Sequence, residues 1–159
     1  MIVISNSTPL IALSKIDNLN LLKDYFKEIF IPQEVYNEVV VAGRNRPGAE
    51  KVESADWIKV KEVKNRVAVE SLAINLGKGE SEAIILAREI DDLLIIDDGQ
   101  ARKTAELMDL KITGTIGILL LAASEDKINF KETFDHLISV GFRISEKEYK
   151  RILNISENF

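Results

Sequence analysis

The sequence predicts a three-layer α/β/α domain: a central, mainly parallel sheet covered by helices, with a helical C-terminal extension. Three observations carry this. The β-prone runs are short and wholly apolar, as in "IVI" (2–4) and "LLII" (93–96), which suits strands buried on both faces. These runs alternate with amphipathic helical stretches, the pattern of strand–helix–strand units. No internal repeat, low-complexity segment or linker interrupts the 159 residues, a length suited to one core. On this pattern residues 1–126 form the α/β domain, and residues 127–159 form an extension packed on it.

The elements follow in order. Residues 1–5 read as a strand that ends in the polar knot Ser5-Asn6-Ser7-Thr8, with a helix over 8–16 around Pro9. "NLNLLKDYF" (18–26) is a short helix and "EIFIP" (28–32) a strand, after which Pro32 opens a helix through about Val41. "AGRNRPG" (42–48) is a turn-rich loop before a short helix near 48–55. "WIKVKEV" (57–63) alternates apolar and polar residues, the mark of a half-exposed strand. A helix over 66–75, the loop "LGKGE" (76–80) and a helix from about 79 to 90 lead to the strand at 92–96. Then come a helix at 99–108, the strand "LKIT" (110–113) and a helix at 115–125. Two tail helices, about 130–140 and 145–155, are joined by "GFRIS".

Composition narrows the chemistry. No apolar run reaches the ~18 residues of a membrane span, and the first residues lack the pattern of a signal peptide. The chain has no cysteine, and His136, its single histidine, reads as a surface or boundary residue on a tail helix. Thiolate sites, cysteine nucleophiles and His-rich zinc sites are therefore excluded. A metal would sit on oxygen ligands, which suits Mg²⁺ or Mn²⁺. A net charge of −5 argues against avid, non-specific binding of nucleic acid. "GKGE" (77–80) lacks the spacing of a phosphate loop, and no GxSxG elbow occurs.

Candidate chemistry gathers at two strand ends. In open parallel sheets, sites form beyond the C-terminal strand ends where strand order reverses. Asn6-Ser7-Thr8 closes the first strand and Asp97-Asp98-Gly99 the strand at 92–96, so neighbouring positions for these strands would bring them into one crevice. Asp98 is also a natural N-cap for the helix after it, a role that leaves Asp97 unexplained. Glu80 and Glu82 lie in the first turn of their helix, where the helix dipole favours acids. Two residues apart, they point about 200° from each other and cannot both face one site. Glu82 runs directly into the apolar stretch Ala83–Ala87, and Glu38 borders an apolar helix face.

With "SNSTPLIAL" (5–13), Glu38 on a helix after "IFIP", "GESEAIILA" (79–87), "IIDDGQARKTA" (95–105), "ITGTIGILL" (112–120) and the tail "LISVGFRISEKEYKRIL" (137–153) in this order, the chain resembles the PIN domain family. The match is nearest to an uncharacterised prokaryotic branch and covers nearly the whole chain. The resemblance implies a Rossmann-like topology and a metal-dependent nuclease, many members being toxin ribonucleases of toxin–antitoxin pairs. It places the family's acids on Asn6, Glu38, Glu82 and, at the fourth position, Asp97 or Asp98, with Asp98 the better match. Glu38, Glu82, Asp97 and Asp98 would hold Mg²⁺ or Mn²⁺, and Ser7 and Thr8 would support the first position. Glu80 is then expected to face away.

RNA would be the substrate. Arg44, Arg46, Lys78, Arg102 and Lys103 are the candidate contacts to its backbone, each equally readable as a solvated surface charge. An antitoxin partner, a homodimer and a cytoplasmic location complete the expectation, with no membrane involvement. Asn6 departs from the wider family, because a carboxamide can ligate a metal but brings no charge. Two readings stay open: a ribonuclease one charge short, or a silent PIN fold that binds RNA or protein.

Overall fold

A computed structural model describes residues 2–158. Met1 of the expected first strand and Phe159 of the expected extension lie outside the described residues. Five parallel strands form one sheet: β1 (Ile2–Ser5), β2 (Glu28–Pro32), β3 (Ile58–Lys61), β4 (Leu93–Ile95) and β5 (Ile112–Thr113). Their order is β3-β2-β1-β4-β5, so the chain leaves β1 toward one edge and later returns to β1's other side. β1 pairs with β2 through Val3↔Ile29 and with β4 through Ile4↔Leu94.

Side chains alternate across the pleat, which sorts each strand onto two cores. Val3, Ile29, Ile31 and Ile95 join one core; Ile4, Phe30, Leu94 and Ile96 join the other. The first core is covered by α1 (Ser7–Lys15), α2 (Asn20–Tyr25), α3 (Gln33–Tyr36), α4 (Ala49–Ser54), α8 (Thr115–Ser124), α9 (Phe130–Ser139) and α10 (Glu146–Ser156). The second is covered by α5 (Arg66–Leu72), α6 (Lys78–Ile90) and α7 (Gly99–Leu107). The result is the three-layer α/β/α arrangement. Each fully buried Leu, Ile or Phe contributes about 1.5–3 kcal/mol relative to exposure. In the tail, Phe134 and Leu137 of α9 and Ile152 of α10 pack into the first core.

Several expected elements are shorter than their pattern. The strand expected over 57–63 pairs only at Ile58–Lys61, where it forms a sheet edge with three of its four residues exposed. Lysines on such an edge discourage pairing with another chain. The helix expected through Val41 leaves α geometry after Tyr36 and continues as a π turn over Asn37–Val41. Turns of this kind are frequent at functional sites. Helix α6 ends where Asp91 takes a left-handed conformation (φ 60°), which Asp tolerates better than most residues. Among the described residues, no helix is long and apolar enough to cross a membrane.

Candidate metal centre at the sheet switch point

The strand order reverses between β1 and β4, and both strands end at the same edge of the sheet. Asn6 follows β1 there and its N–H donates to the Ile95 carbonyl of β4 at 3.0 Å. The Asn6 side chain is only 3% exposed. Its Oδ1 is buried with no hydrogen-bond partner among the described residues. Buried acceptors are nearly always satisfied, so an orphan of this kind calls for a ligand.

Ser7, the first residue of α1, donates its hydroxyl to Glu38 Oε2 at 2.9 Å. The π turn thereby delivers Glu38 to the crevice beside β1. Its side chain is open to solvent overall, but its carboxylate lies against the backbone of Gly79 at the start of α6. The approach is possible because residue 79 has no side chain: a Cβ there would lie 1.9 Å from Glu38 Oε1. Partial desolvation pushes the Glu38 carboxyl above its usual range; the Ser7 hydrogen bond opposes this, and the charges of Glu34 and Glu82 add to it.

Glu80 requires a correction. Expected to face away, it lies where the charges of Asp98 and Glu38 act on it. Burial, first, and then those charges raise its carboxyl above the usual range, against the Gly77 N–H that donates to Oε1 at 3.1 Å. Asp98 takes the expected N-cap role, its Oδ2 accepting from the Ala101 N–H at 2.9 Å. Asn6 and Asp98 follow the adjacent strands β1 and β4, and the charges of Glu38 and Asp98 both reach Glu80.

The other two expected acids are engaged elsewhere. Glu82 is on the same edge and its charge reaches Glu38, but it is 4% exposed and both its oxygens are occupied. Oε1 accepts the Glu34 N–H at 3.0 Å, and Oε2 pairs with the half-exposed Arg66 guanidinium at 2.8 Å. Glu82 therefore ties α5 and α6 to the start of α3, the helix that leads into the π turn carrying Glu38. Asp97 turns toward α8. Its oxygens accept the Thr115 N–H at 2.8 Å and the Thr115 hydroxyl at 2.6 Å. Gly114 permits this, since a Cβ there would sit 2.7 Å from Asp97 Oδ1. Burial raises the Asp97 carboxyl, opposed by Thr115 and the charge of Arg102. Of the expected set Glu38, Glu82, Asp97 and Asp98, the oxygens of Glu82 and Asp97 thus have protein partners, and the charges of Glu38 and Asp98 reach Glu80.

Thr8 is exposed and lines a groove with Lys15 and Leu137, away from Glu38. Arg44, Arg46, Lys78 and Lys103 are exposed, and Lys78 lies 3.7 Å from the Glu34 carboxylate. Arg102 is half-buried, its Nη1 donating to the Ile96 carbonyl at 2.8 Å. His136 is exposed on α9, as expected of a surface residue.

Among the described residues, no three Asp, Glu or His side chains are drawn close enough to hold a metal ion by themselves. The crevice nevertheless fits a hard cation. Its donors are all oxygens, one is a buried orphan, and two carboxyls are raised by burial and, less, by neighbouring acidic charge. A divalent cation would satisfy the first and offset the second.

A model of the PIN domain family matches residues 2–158. Among solved structures, the chain resembles a PilT N-terminus domain protein from the hyperthermophilic archaeon Sulfolobus solfataricus P2. That likeness has a TM-score of 0.58 at 22% identity, covers 81% of this chain and 97% of the other, and concerns the fold alone. A shorter stretch is 31% identical over 83 residues to an indole-3-glycerol phosphate synthase of Lachnospira eligens. It spans 49% of this chain but only 31% of that protein, so no activity is carried over from it. With a family match across the described chain and the parallel sheet to go with it, the protein belongs to the PIN domain family.

Proposed function

We propose that this protein is a Mg²⁺- or Mn²⁺-dependent ribonuclease whose metal is held by Asn6, Glu38, Glu80 and Asp98. PIN domains are in general metal-dependent nucleases that act on RNA, and they often pair with antitoxins. The observation that carries the assignment to this crevice is the orphaned, buried Asn6 Oδ1 one residue before Ser7, whose hydroxyl holds the Glu38 carboxylate. When bound, the cation supplies Lewis acidity toward water and a phosphoryl oxygen. Ser7 fixes one oxygen of the Glu38 carboxylate and leaves the other without a protein side-chain donor among the described residues. Asp98 is held as the cap of α7 and Glu80 by the Gly77 N–H, and both carboxylates would draw in on loading. Glu82 and Asp97 act outside this set, as anchors of α3 and α8. Arg44, Arg46, Lys78, Arg102 and Lys103 attract the RNA backbone. The same reading makes an antitoxin the protein partner, a homodimer the assembly and the cytoplasm the compartment.

A second reading, a silent PIN fold that only binds, is favoured by the uncharged Asn6 and by the spread of the acids. Titration with Mn²⁺, followed by cleavage of single-stranded RNA, separates the two. Saturable binding lost in Glu80→Gln and Asp98→Asn supports the enzyme. No binding at millimolar Mn²⁺ and no cleavage supports the silent fold.

A further inference from the structure

A second cleft opens beside the crevice, on the far side of β4. It is about 480 Å³, within the range of small-molecule sites, and lies between β5, α8, α10 and the segment joining α9 to α10. Its inner end is Asp97, the neighbour of Asp98, so the two sites share the end of β4. Three arginines and two carboxylates line it. Asp97, whose oxygens accept from Thr115, keeps its charge near Arg102, and the Glu148 carboxylate pairs with Arg151 at 2.8 Å. Arg143 is exposed and makes no ion pair among the described residues. Arg102 is preset at the inner end by its bond to the Ile96 carbonyl. One positive charge is thus in excess, at Arg143, in a cleft walled by Ile116, Phe142, Ile144 and Ile155.

We propose that this cleft seats the nucleotide flanking the scissile bond of a single-stranded RNA, with Arg102 and Arg143 on its phosphate and the apolar wall around Phe142 against its base. The proposal rests on the nuclease reading for the identity of the bond, not for binding. Paired charge and apolar surface in one cleft fit an anion with an exposed aromatic face, which a single strand offers and a duplex hides. Arg102 spans the two sites, because its helix α7 is also the one capped by Asp98.

The test is fluorescence anisotropy of a labelled single-stranded octaribonucleotide, in chelator, with wild type, Arg143→Ala and Phe142→Leu. Arg143 is exposed, so its loss leaves folding intact; leucine keeps apolar volume at position 142, and thermal melting checks both. Arg143→Ala is expected to weaken binding about tenfold and to make the log–log salt dependence shallower by about 0.7. Phe142→Leu is expected to weaken the single strand about fivefold and to leave binding of an RNA duplex unchanged. Mn²⁺ affinity stays at the wild-type value in both. RNA affinity indifferent to both substitutions, or no binding by wild type, overturns the proposal and passes the cleft to a protein ligand. RNA binding that needs the cleft in a protein that takes no Mn²⁺ supports the subsite and removes the nuclease reading instead.

Discussion

Replacing Gly79 by alanine isolates the geometry of the crevice from the stability of the fold. A Cβ at this position would lie 1.9 Å from Glu38 Oε1 and 2.8 Å from Cδ, whereas real Cβ contacts essentially never fall below 3.0 Å. The carboxylate must therefore retreat by about 1.1 Å (3.0 − 1.9) or more. A shift of that size away from α6 strains or breaks the 2.9 Å bond from Ser7. Losing such a bond on a solvent-open side chain costs about 0.5–1.5 kcal/mol. The backbone of Gly79 is not left-handed, so alanine fits it and returns about 0.5–1 kcal/mol of helix propensity. The two effects nearly cancel, and Tm should move by no more than about 3 °C. Mn²⁺ affinity, by contrast, should fall about 10–100-fold, because a ligand loses the group that orients it. Isothermal titration with Mn²⁺ and a thermal melt in chelator measure both quantities. Wild-type Mn²⁺ affinity in Gly79→Ala would refute the placement of Glu38 in the metal shell, whatever the melt shows.

Glu80→Gln should weaken Mn²⁺ binding with little change in melting, while Glu82→Ala should melt lower because it strips the Glu34 N–H and Arg66 of their partner; equal melting of the two would contradict the anchor role of Glu82. In chelator, stability should fall as pH rises from about 4.3, the unfolded value, through the raised values of Glu38 and Glu80, since the folded state then holds more protons than the unfolded. Excess Mn²⁺ should flatten or invert that slope, and a pH series of melts with and without metal would show whether it does. Asn6→Asp adds a carboxylate at nearly constant volume, so it should melt lower than wild type in chelator and gain more from Mn²⁺. An identical metal-induced shift in both proteins would put Asn6 outside the metal shell.

Much of the fold was legible because burial on two faces leaves a plain mark. Runs such as Leu93–Ile96 are apolar throughout, and only a central parallel strand needs that. The polar knot after β1 and the aspartates after β4 marked two strand ends, and the strand-end rule joined them. The break at Tyr36 left no such mark: Val35, Val39 and Val40 are buried in α and π geometry alike. The span of β3 was overestimated because alternation continues through Val63, which is buried in the second core after pairing has ended.

On α6 the sequence by itself determined that two glutamates could not both face one site, because two residues of helix place them on opposite sides. The resemblance chose Glu82. The apolar stretch after Glu82 correctly reported that this side is buried, and burial was read as function. Tertiary structure supplies Arg66 from α5 and the Glu34 N–H from α3, which give this buried carboxylate two protein partners. The glycines at 77 and 79 were the overlooked signal, since a bare backbone beside an acid lets a second acid come close. Asp97 follows the same logic. Its partner Thr115 is 18 residues away in sequence and meets it only when β5 pairs beside β4. Composition and periodicity report how each residue relates to water and to its own element. Which oxygen meets which donor depends on elements brought together by the sheet order, and that is a property of the folded chain alone.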